Sequence, residues 1–499
     1  MNCYLGLDIG TSGCKAVIFD ENGQQISLSY KDYNIISLQA GWAELDSDLV
    51  MEKCFEVIKE SVSCAETNSF KGIGISSQGE AFTLLDNEGK ILYNALVSSD
   101  IRAQEYAQNW PGKFGEKKLY QITGHTPHPM FSLFKLLWIK DNMPEVWSQT
   151  SKIFCFEDLI QFRLGIRNPA IGWSLAGRTM LFDVVNHCWS KDILHAVGLN
   201  ESQLARPLQS GILAGYVSNE IADELGLPDN SYVVTGGHDQ PCSALGAGAI
   251  DPGISVYSLG TVDCVTPAFD KPVFSEVLHK NNLCTYDHTA PGMYATVAFS
   301  LTGCNIIKWF RDEFGSAEVE QAITSSCSPY DLLLMKLPHG PTRLLALPYF
   351  TPSGTPYFDT SVKGTILGLD LTSKREEILK ALLEGVAFEM RLNLEILEKS
   401  GCHVNELIAI GGGAKSKILC QLKADVIGKP ITILNIKEAG CMGAAMLAMA
   451  ADKNLSVTEI PKKWIRPVSR LIPDINQGYN KMFNSFKDLY PKLKADFYK

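Results

Sequence analysis

Cys3-Tyr4-Leu5-Gly6-Leu7-Asp8-Ile9 runs into Gly10-Thr11-Ser12-Gly13 and then into Lys15-Ala16-Val17-Ile18-Phe19-Asp20. The flanks are apolar and partly β-branched, so the stretch reads as strand, tight turn, strand. A short turn of Gly, Thr and Ser presents backbone N–H groups and hydroxyls together, a combination that suits phosphate. Lys15 adds a cation, and Asp8 offers the hard oxygen that Mg²⁺ takes, here through water. Taken alone, the same residues fit an ordinary β-hairpin equally well. A later segment weighs on the choice. Ile254-Ser255-Val256-Tyr257-Ser258-Leu259 leads into Gly260-Thr261, and Val262 to Thr266 follows as a strand. This recurrence implies an internal duplication, hence two related halves with a cleft between them. Two such turns facing each other would hold the two ends of a triphosphate.

Between the two turns the chain alternates strands and helices. Helical spacing of Val50, Cys54, Val57, Ile58 and Val62 predicts a helix from Asp48 to about Glu66. A buried strand, Gly72 to Ser77, then ends in Gln78-Gly79-Glu80, which reads either as a cluster that grips hydroxyls or as a polar loop. Ser174 to Asp183 reads as a loop entering an apolar segment. The run Tyr232-Val233-Val234-Thr235 is a further strand, delivering Gly236-Gly237-His238-Asp239-Gln240 into a small-residue helix. Ligands of open α/β sheets bind beyond such strand ends. Asp239 therefore sits where a carboxylate would accept a hydroxyl proton; read alone, it is more readily an Asp capping the next helix, and the segments around it shift that balance.

The last informative segment is Leu407-Ile408-Ala409-Ile410 followed by Gly411-Gly412-Gly413-Ala414-Lys415-Ser416. Three glycines between a strand and a helix N-terminus let a nucleotide approach the backbone. The Gly-x-Gly-x-x-Gly fingerprint and the Walker A motif are both absent, which disfavours a dinucleotide enzyme and a P-loop protein. The small-residue helix from Ala439 to Ala451 is expected to pack beneath this turn.

Composition narrows the class further. At 499 residues the chain is too long for one core, and its net charge of −10 without a basic tract argues against nucleic acid. Its 14 cysteines include no C-x-x-C pair, the pattern of reduced thiols rather than of a disulfide scaffold or zinc site. No signal peptide or membrane-spanning run is read, so a cytoplasmic protein is expected.

In combination these pieces resemble the FGGY carbohydrate kinases of the actin, hexokinase and heat-shock ATPase superfamily. Asp8 to Lys15 resembles the family's first phosphate motif in its xylulokinase-like form. Residues 130–142 are similar to its Lys-x-x-Trp helix pattern. Gly364 to Leu369, with Glu377, Ile378, Ala381 and Glu384, follows its second pattern with a departure at Leu382. Gly411 to Ser416, with Gln421, Ala424 and Asp425, is similar to its adenosine motif.

The resemblance implies an α/β fold of two ribonuclease-H-like (actin-like ATPase) domains with a deep cleft between them. Residues 1–245 would hold mainly the sugar and residues 246–499 mainly the nucleotide. It implies Asp239 as catalytic base, Asp8 and Asp239 as organisers of Mg²⁺, and Gln78, Gly79, Glu80, Asp239 and Gln240 as substrate contacts. ATP would meet Gly10, Thr11, Ser12, Lys15, Gly260, Thr261, Gly412, Gly413, Ala414 and Ser416. The expected partner is a small sugar or polyol, with no nucleic acid or membrane and a homodimer as a candidate assembly. A ketopentose such as xylulose is the first substrate choice; glycerol, erythritol or another ketose is the alternative. A nucleotide-dependent binding or assembly protein is a more distant one. The substrate strand-end departs from both familiar forms, since Gln78-Gly79-Glu80-Ala81 has neither the His of the xylulose pattern nor the Arg of the glycerol pattern. Gly79 suggests extra room for a bulkier substrate.

Overall fold

A computed structural model describes residues 2–65, 69–475 and 478–497. The strand–turn–strand at the start forms as expected. β1 (Cys3–Ile9) and β2 (Gly13–Asp20) pair antiparallel with Asp8 opposite Lys15, and β3 (Gln25–Asp32) pairs antiparallel with β2. α1 (Ser47–Ser63) follows, capped at its N-terminus by Asp46, whose side chain accepts from the Asp48 and Leu49 N–H groups. Its expected end at Glu66 lies outside the described residues. β4 (Phe70–Ser77) returns parallel to β1, and β5 (Tyr232–His238) lies parallel to β4. A short antiparallel strand, Leu213–Tyr216, closes that edge.

The second half repeats this order. β6 (Ile254–Leu259) and β7 (Asp263–Phe269) are antiparallel, and β8 (Ala298–Ser300) is antiparallel to β7. β9 (Glu406–Ile410) lies parallel to β6, and β10 (Ile431–Leu434) parallel to β9. An antiparallel strand, Pro467–Leu471, again closes the edge. Two sheets of one topology, each three antiparallel strands continued by two parallel ones, are the product of the duplication. Helices follow equivalent strands in both halves: α2 (Asp239–Gly246) after β5, then α3 (Arg375–Lys399) before β9, α4 (Lys417–Ile427) after β9 and α5 (Ala439–Lys453) after β10. Each half has its own apolar core.

α5 corrects an expectation. It lies not beneath the glycine turn but across the first half's sheet, against β1, β4 and α2. Glycine makes this possible. A Cβ on Gly6 would stand 1.8 Å from the Cys441 carbonyl oxygen, and one on Gly74 would stand 1.9 Å from that of Ala444. Strand and helix backbones therefore touch, and Tyr4 and Tyr232 bond to Asp452 and to the Ala448 carbonyl. All fourteen cysteines are free. Among the described residues, no helix is long and apolar enough to cross a membrane.

α3 carries a buried carboxyl with a readable pH signature. Glu389 is fully buried and neither carboxyl oxygen has a full hydrogen-bond partner. Burial, helped by the charge of Asp263, pushes its pKa up to about 8 against the pull of Ser300. The folded state thus keeps a proton that the unfolded chain releases near its ordinary value of 4.5. Stability from this group is present below that value and is lost as pH rises toward about 8. The Glu389→Gln variant is expected to lose less melting temperature than the parent between pH 6 and pH 9, a window spanning the shift. Parallel melting curves across that range would contradict this.

Candidate active site

Asp239 stands at the end of β5, where a buried acid on a neighbouring element anchors the strand. Glu157, in the helix Phe156–Arg163, accepts the Gly236 N–H at 2.7 Å on one oxygen and the Gly172 N–H at 3.0 Å on the other. The His238 N–H donates to Ser174 Oγ at 3.1 Å. α2 begins at Asp239 with no side-chain cap, and Asp239 Oδ1 is buried with the His238 ring, at 3.2 Å, as its nearest polar neighbour. The carboxylate is therefore not spent on capping. Its side chain is 33% exposed, which leaves it accessible. Burial first, then the charges of Asp8 and Glu80, push its pKa up to about 7. Gln240 Oε1 is buried and unpartnered.

A polar cluster backs Asp239. His238 Nε2 lies 3.2 Å from Asp239 Oδ1, and His238 Nδ1 lies 2.9 Å from the Tyr286 hydroxyl. Tyr286 belongs to the second half of the chain, so both halves wall this site. Arg178 donates through Nε and Nη2 to a single oxygen of Glu80, and its Nη1 lies 3.1 Å from His125 Nε2. His125 Nδ1 is 2.6 Å from the Thr123 carbonyl and must carry the proton there, so Nε2 accepts from Arg178. Burial, then the Arg178 charge, lowers the His125 pKa to about 3 and keeps the ring neutral.

Gly79 does not open the pocket. A Cβ there would come within 3.0 Å of the His238 ring and 3.4 Å of Arg178 Cγ, so the missing side chain makes room for the protein's own residues. The expected extra space for a bulkier substrate is corrected accordingly. Ser174–Gly177, expected as loop, belongs to a short helix, Trp173–Gly177, that presents Arg178 at its end.

The first turn is tied down by Gln78. Gly10 N–H bonds to Gly13 O at 3.0 Å, while Gln78 Nε2 donates to Gly10 O at 3.0 Å and Gln78 Oε1 accepts from Thr11 Oγ1 at 3.1 Å. The Gln78 amide thereby shapes the turn. Ser12 is exposed. Asp8 accepts from Ser76 Oγ at 2.7 Å, and burial raises its pKa. Lys15 reaches Glu438, just ahead of α5, at 2.7 Å, so its charge is compensated from the other half.

The second turn repeats the first. Gly260 N–H bonds to Val262 O at 3.1 Å, and Thr261 is exposed. Beneath it, Asp263 Oδ2 accepts from Lys423 Nζ at 2.5 Å and from the Tyr257 hydroxyl at 2.7 Å, all three side chains being buried. Lys423 comes from α4, the helix that follows the glycine turn. Gly413 fits against Leu259 and Cys304, whereas a Cβ on Gly412 would meet nothing within 4 Å. Ala414 is buried, and Ser416 Oγ caps α4 by accepting from the Leu419 N–H at 3.3 Å.

Asp8 and Glu80 both act through their charge on Asp239. Gln78 and Lys15 are engaged by the protein itself, and Gly412 faces open space. Arg178, His125, Tyr286 and Lys423 are the participants that motif reading leaves out. None sits in a recognisable spacing, and only their partners in the fold reveal them.

Duplicated sheets with Gly-Thr turns at equivalent strand ends define a two-domain protein of the actin-like ATPase fold. The comparisons narrow this class. Residues 3–246 match the N-terminal domain, and residues 255–451 the C-terminal domain, of the FGGY family of carbohydrate kinases. The xylulose kinase of Bacillus subtilis is 27% identical over 99% of this chain and 98% of its own length. The gluconokinase of the same organism is 26% identical over 99% of this chain and 96% of its own length. A crystal structure described as a "xyloylose kinase" from Brucella ovis, 26% identical, superposes with a TM-score of 0.89 over 99% of this chain and all of its own. The chain belongs to the FGGY family of carbohydrate kinases, and it is a sugar kinase.

Proposed function

We propose that this protein transfers the γ-phosphoryl group of ATP to a terminal hydroxyl of a small neutral sugar, a ketopentose such as xylulose, with Asp239 as general base. One observation carries the reading: the Asp239 carboxylate ends β5 without capping α2, keeps a third of its side chain exposed, and feels the charges of Asp8 and Glu80. A substrate hydroxyl would donate to the exposed part of this carboxylate. Phosphoryl transfer asks the protein mainly for positioning, charge neutralisation and a carboxylate to take the hydroxyl proton. The relatives support the ketopentose, since a xylulose kinase matches the chain over nearly its whole length.

In this reading the half spanning residues 1–245 holds mainly the sugar, through Glu80, Asp239 and Gln240. Gln78 and Gly79 shape that wall from behind. The half spanning 246–499 holds mainly the nucleotide, through Gly260, Thr261 and the Gly412–Ser416 turn. Gly10, Thr11 and Ser12 face the phosphates from the opposite side. Asp8 and Asp239 are hard oxygen donors that fit Mg²⁺, which would neutralise phosphate charge when bound. Asp239 takes the hydroxyl proton, and the His238 ring, 3.2 Å behind Oδ1, limits how that carboxylate can turn.

The direct test is ADP release, followed by a coupled assay over ketoses, aldoses and polyols. ADP release that depends on sugar, with xylulose or another ketopentose preferred, is the expected result. Hydrolysis of ATP at one rate with or without sugar would instead indicate an assembly protein of the superfamily. The nucleotide side has its own check. Gly412→Val projects a branched side chain into open space, so the KM for ATP should rise about tenfold or more with melting temperature unchanged, a loss of roughly 1.4 kcal/mol of binding. An unaltered KM would remove Gly412 from the nucleotide wall.

A further inference from the structure

We propose that Tyr286 is a positioning residue for phosphoryl transfer: its hydroxyl, supplied by the second half of the chain, fixes the tautomer of His238 so that the Nε2–H faces the Asp239 carboxylate. This role rests on the reading of Asp239 as base and adds the group that orients it.

Tyr286 reaches the first half on a short hairpin, in which Tyr286–Asp287 pairs antiparallel with Tyr294–Ala295. Three contacts fasten that segment. The Thr285 N–H donates to the Gly124 carbonyl at 2.9 Å, Asp287 Oδ1 lies 2.9 Å from His187 Nε2, and Thr289 Oγ1 donates to the Pro241 carbonyl at 2.8 Å. The last of these falls on α2 itself, two residues past Asp239. A Cβ on Gly124 would stand 1.8 Å from the Thr285 carbonyl oxygen, so the two backbones touch there. The Tyr286 hydroxyl is thus delivered to a fixed place against the His238 ring.

The two ring nitrogens of His238 share one proton, because burial, reinforced by the Arg178 charge, keeps the ring neutral. Two arrangements are then open. With the proton on Nδ1, the ring would donate to the Tyr286 oxygen. The tyrosine's own proton would then lack an acceptor, since His238 Nδ1 is the partner of that hydroxyl among the described residues. A buried donor left unmade carries the full cost of its desolvation. The same arrangement would set the Nε2 lone pair against Asp239 Oδ1 at 3.2 Å. With the proton on Nε2 both faults disappear. The hydroxyl donates to Nδ1 at 2.9 Å, and an N–H dipole faces the carboxylate. At 3.2 Å this contact falls short of a full hydrogen bond, so it acts on Asp239 as an oriented dipole. It holds Oδ1 inward and leaves the exposed third of the side chain to the substrate. Gly79 gives the ring its room, since a Cβ there would come within 3.0 Å of Nε2 and Cδ2.

The experiment compares the full-length protein with Tyr286→Phe, which keeps the ring and removes only the hydroxyl. Turnover is measured with ATP and D-xylulose, or with whichever sugar of the coupled screen reacts fastest. The kcat is expected to fall about tenfold, the rate equivalent of one hydrogen bond, with both KM values within about twofold. In His238→Gln the amide carries its own donor whatever Tyr286 does. Adding Tyr286→Phe to that variant should therefore cost less than about twofold more. A kcat for Tyr286→Phe within twofold of the parent, or a second tenfold loss on the Gln background, would overturn the proposal. Nitrogen-15 NMR of histidine-labelled protein reads the tautomer without turnover, with the His238 signals assigned by their loss in His238→Gln or His238→Asn. The parent is expected to carry the proton on Nε2, and Tyr286→Phe should show part of it on Nδ1. A proton on Nδ1 in the parent, or an Nε2–H ring unchanged in Tyr286→Phe, would refute the role. If no sugar is phosphorylated at all, the kinase reading fails by itself, and the ring spectrum still decides whether Tyr286 sets the tautomer.

Discussion

Asp239→Asn is expected to lower kcat by about a thousandfold while leaving ATP affinity within about twofold, because the variant removes one proton acceptor and little else. The amide has the shape of the carboxylate, so the pocket stays filled. It cannot take the proton of a hydroxyl, and it removes a negative charge next to Asp8 and Glu80. That second effect works in the opposite direction on binding: relieving mutual repulsion among the three carboxylates should leave sugar affinity unchanged or tighter. A fall in kcat with a steady or lower KM for sugar is therefore the signature of a base, whereas a fall in affinity alone would mark a binding residue. Steady-state kinetics in both substrates, with calorimetric ATP binding to the Asn variant, separates the outcomes. Phosphorylation at the parent rate by the Asn variant would dismiss Asp239 as base.

Why Asp239 was readable and its neighbours were not follows from where each sits. Turns and strand ends are local. Gly10 to Gly13, Gly236 to Gln240 and Gly411 to Ser416 each announce themselves within a few residues of an apolar run, and the repeat of Gly-Thr at 260–261 supplies the topology. The groups that tune Asp239 are not local. Arg178 lies 98 positions from Glu80, and Tyr286 lies 48 from His238. Nothing about either residue type at its own position points across that gap. Small-residue periodicity likewise identifies α5 as a close-packing helix, but only the partner glycines, Gly6 and Gly74, say which sheet it meets. Gly79 misleads for a related reason. A missing side chain reads as space from the sequence, and the space is filled by His238 from another strand and Arg178 from a helix end.

Lys423→Met should cost about 3–5 kcal/mol of stability, the penalty for stranding a buried carboxylate, and should also weaken nucleotide binding. Lys423 and Asp263 are 2% and 0% exposed in their side chains, so water cannot replace the lost ammonium. After the substitution Asp263 keeps only the Tyr257 hydroxyl as donor on Oδ2, and Oδ1 has no partner to begin with. The carboxyl must then take up a proton or pull the strand toward solvent. Asp263 opens β7 directly after Gly260-Thr261-Val262, so either response disturbs the turn assigned to phosphate. The pair can be separated from its parts by a cycle. Asp263→Asn combined with Lys423→Met removes both charges together and leaves no orphan ion, so the double variant should regain most of the stability lost in the single one. Chemical and thermal unfolding of the three variants, read beside the KM for ATP, gives the answer. A double variant as unstable as Lys423→Met alone would mean that the lysine acts by packing its stem, and the turn would then owe its shape to Gly260 and to the Gly303 N–H, which donates to the Thr261 carbonyl at 3.1 Å.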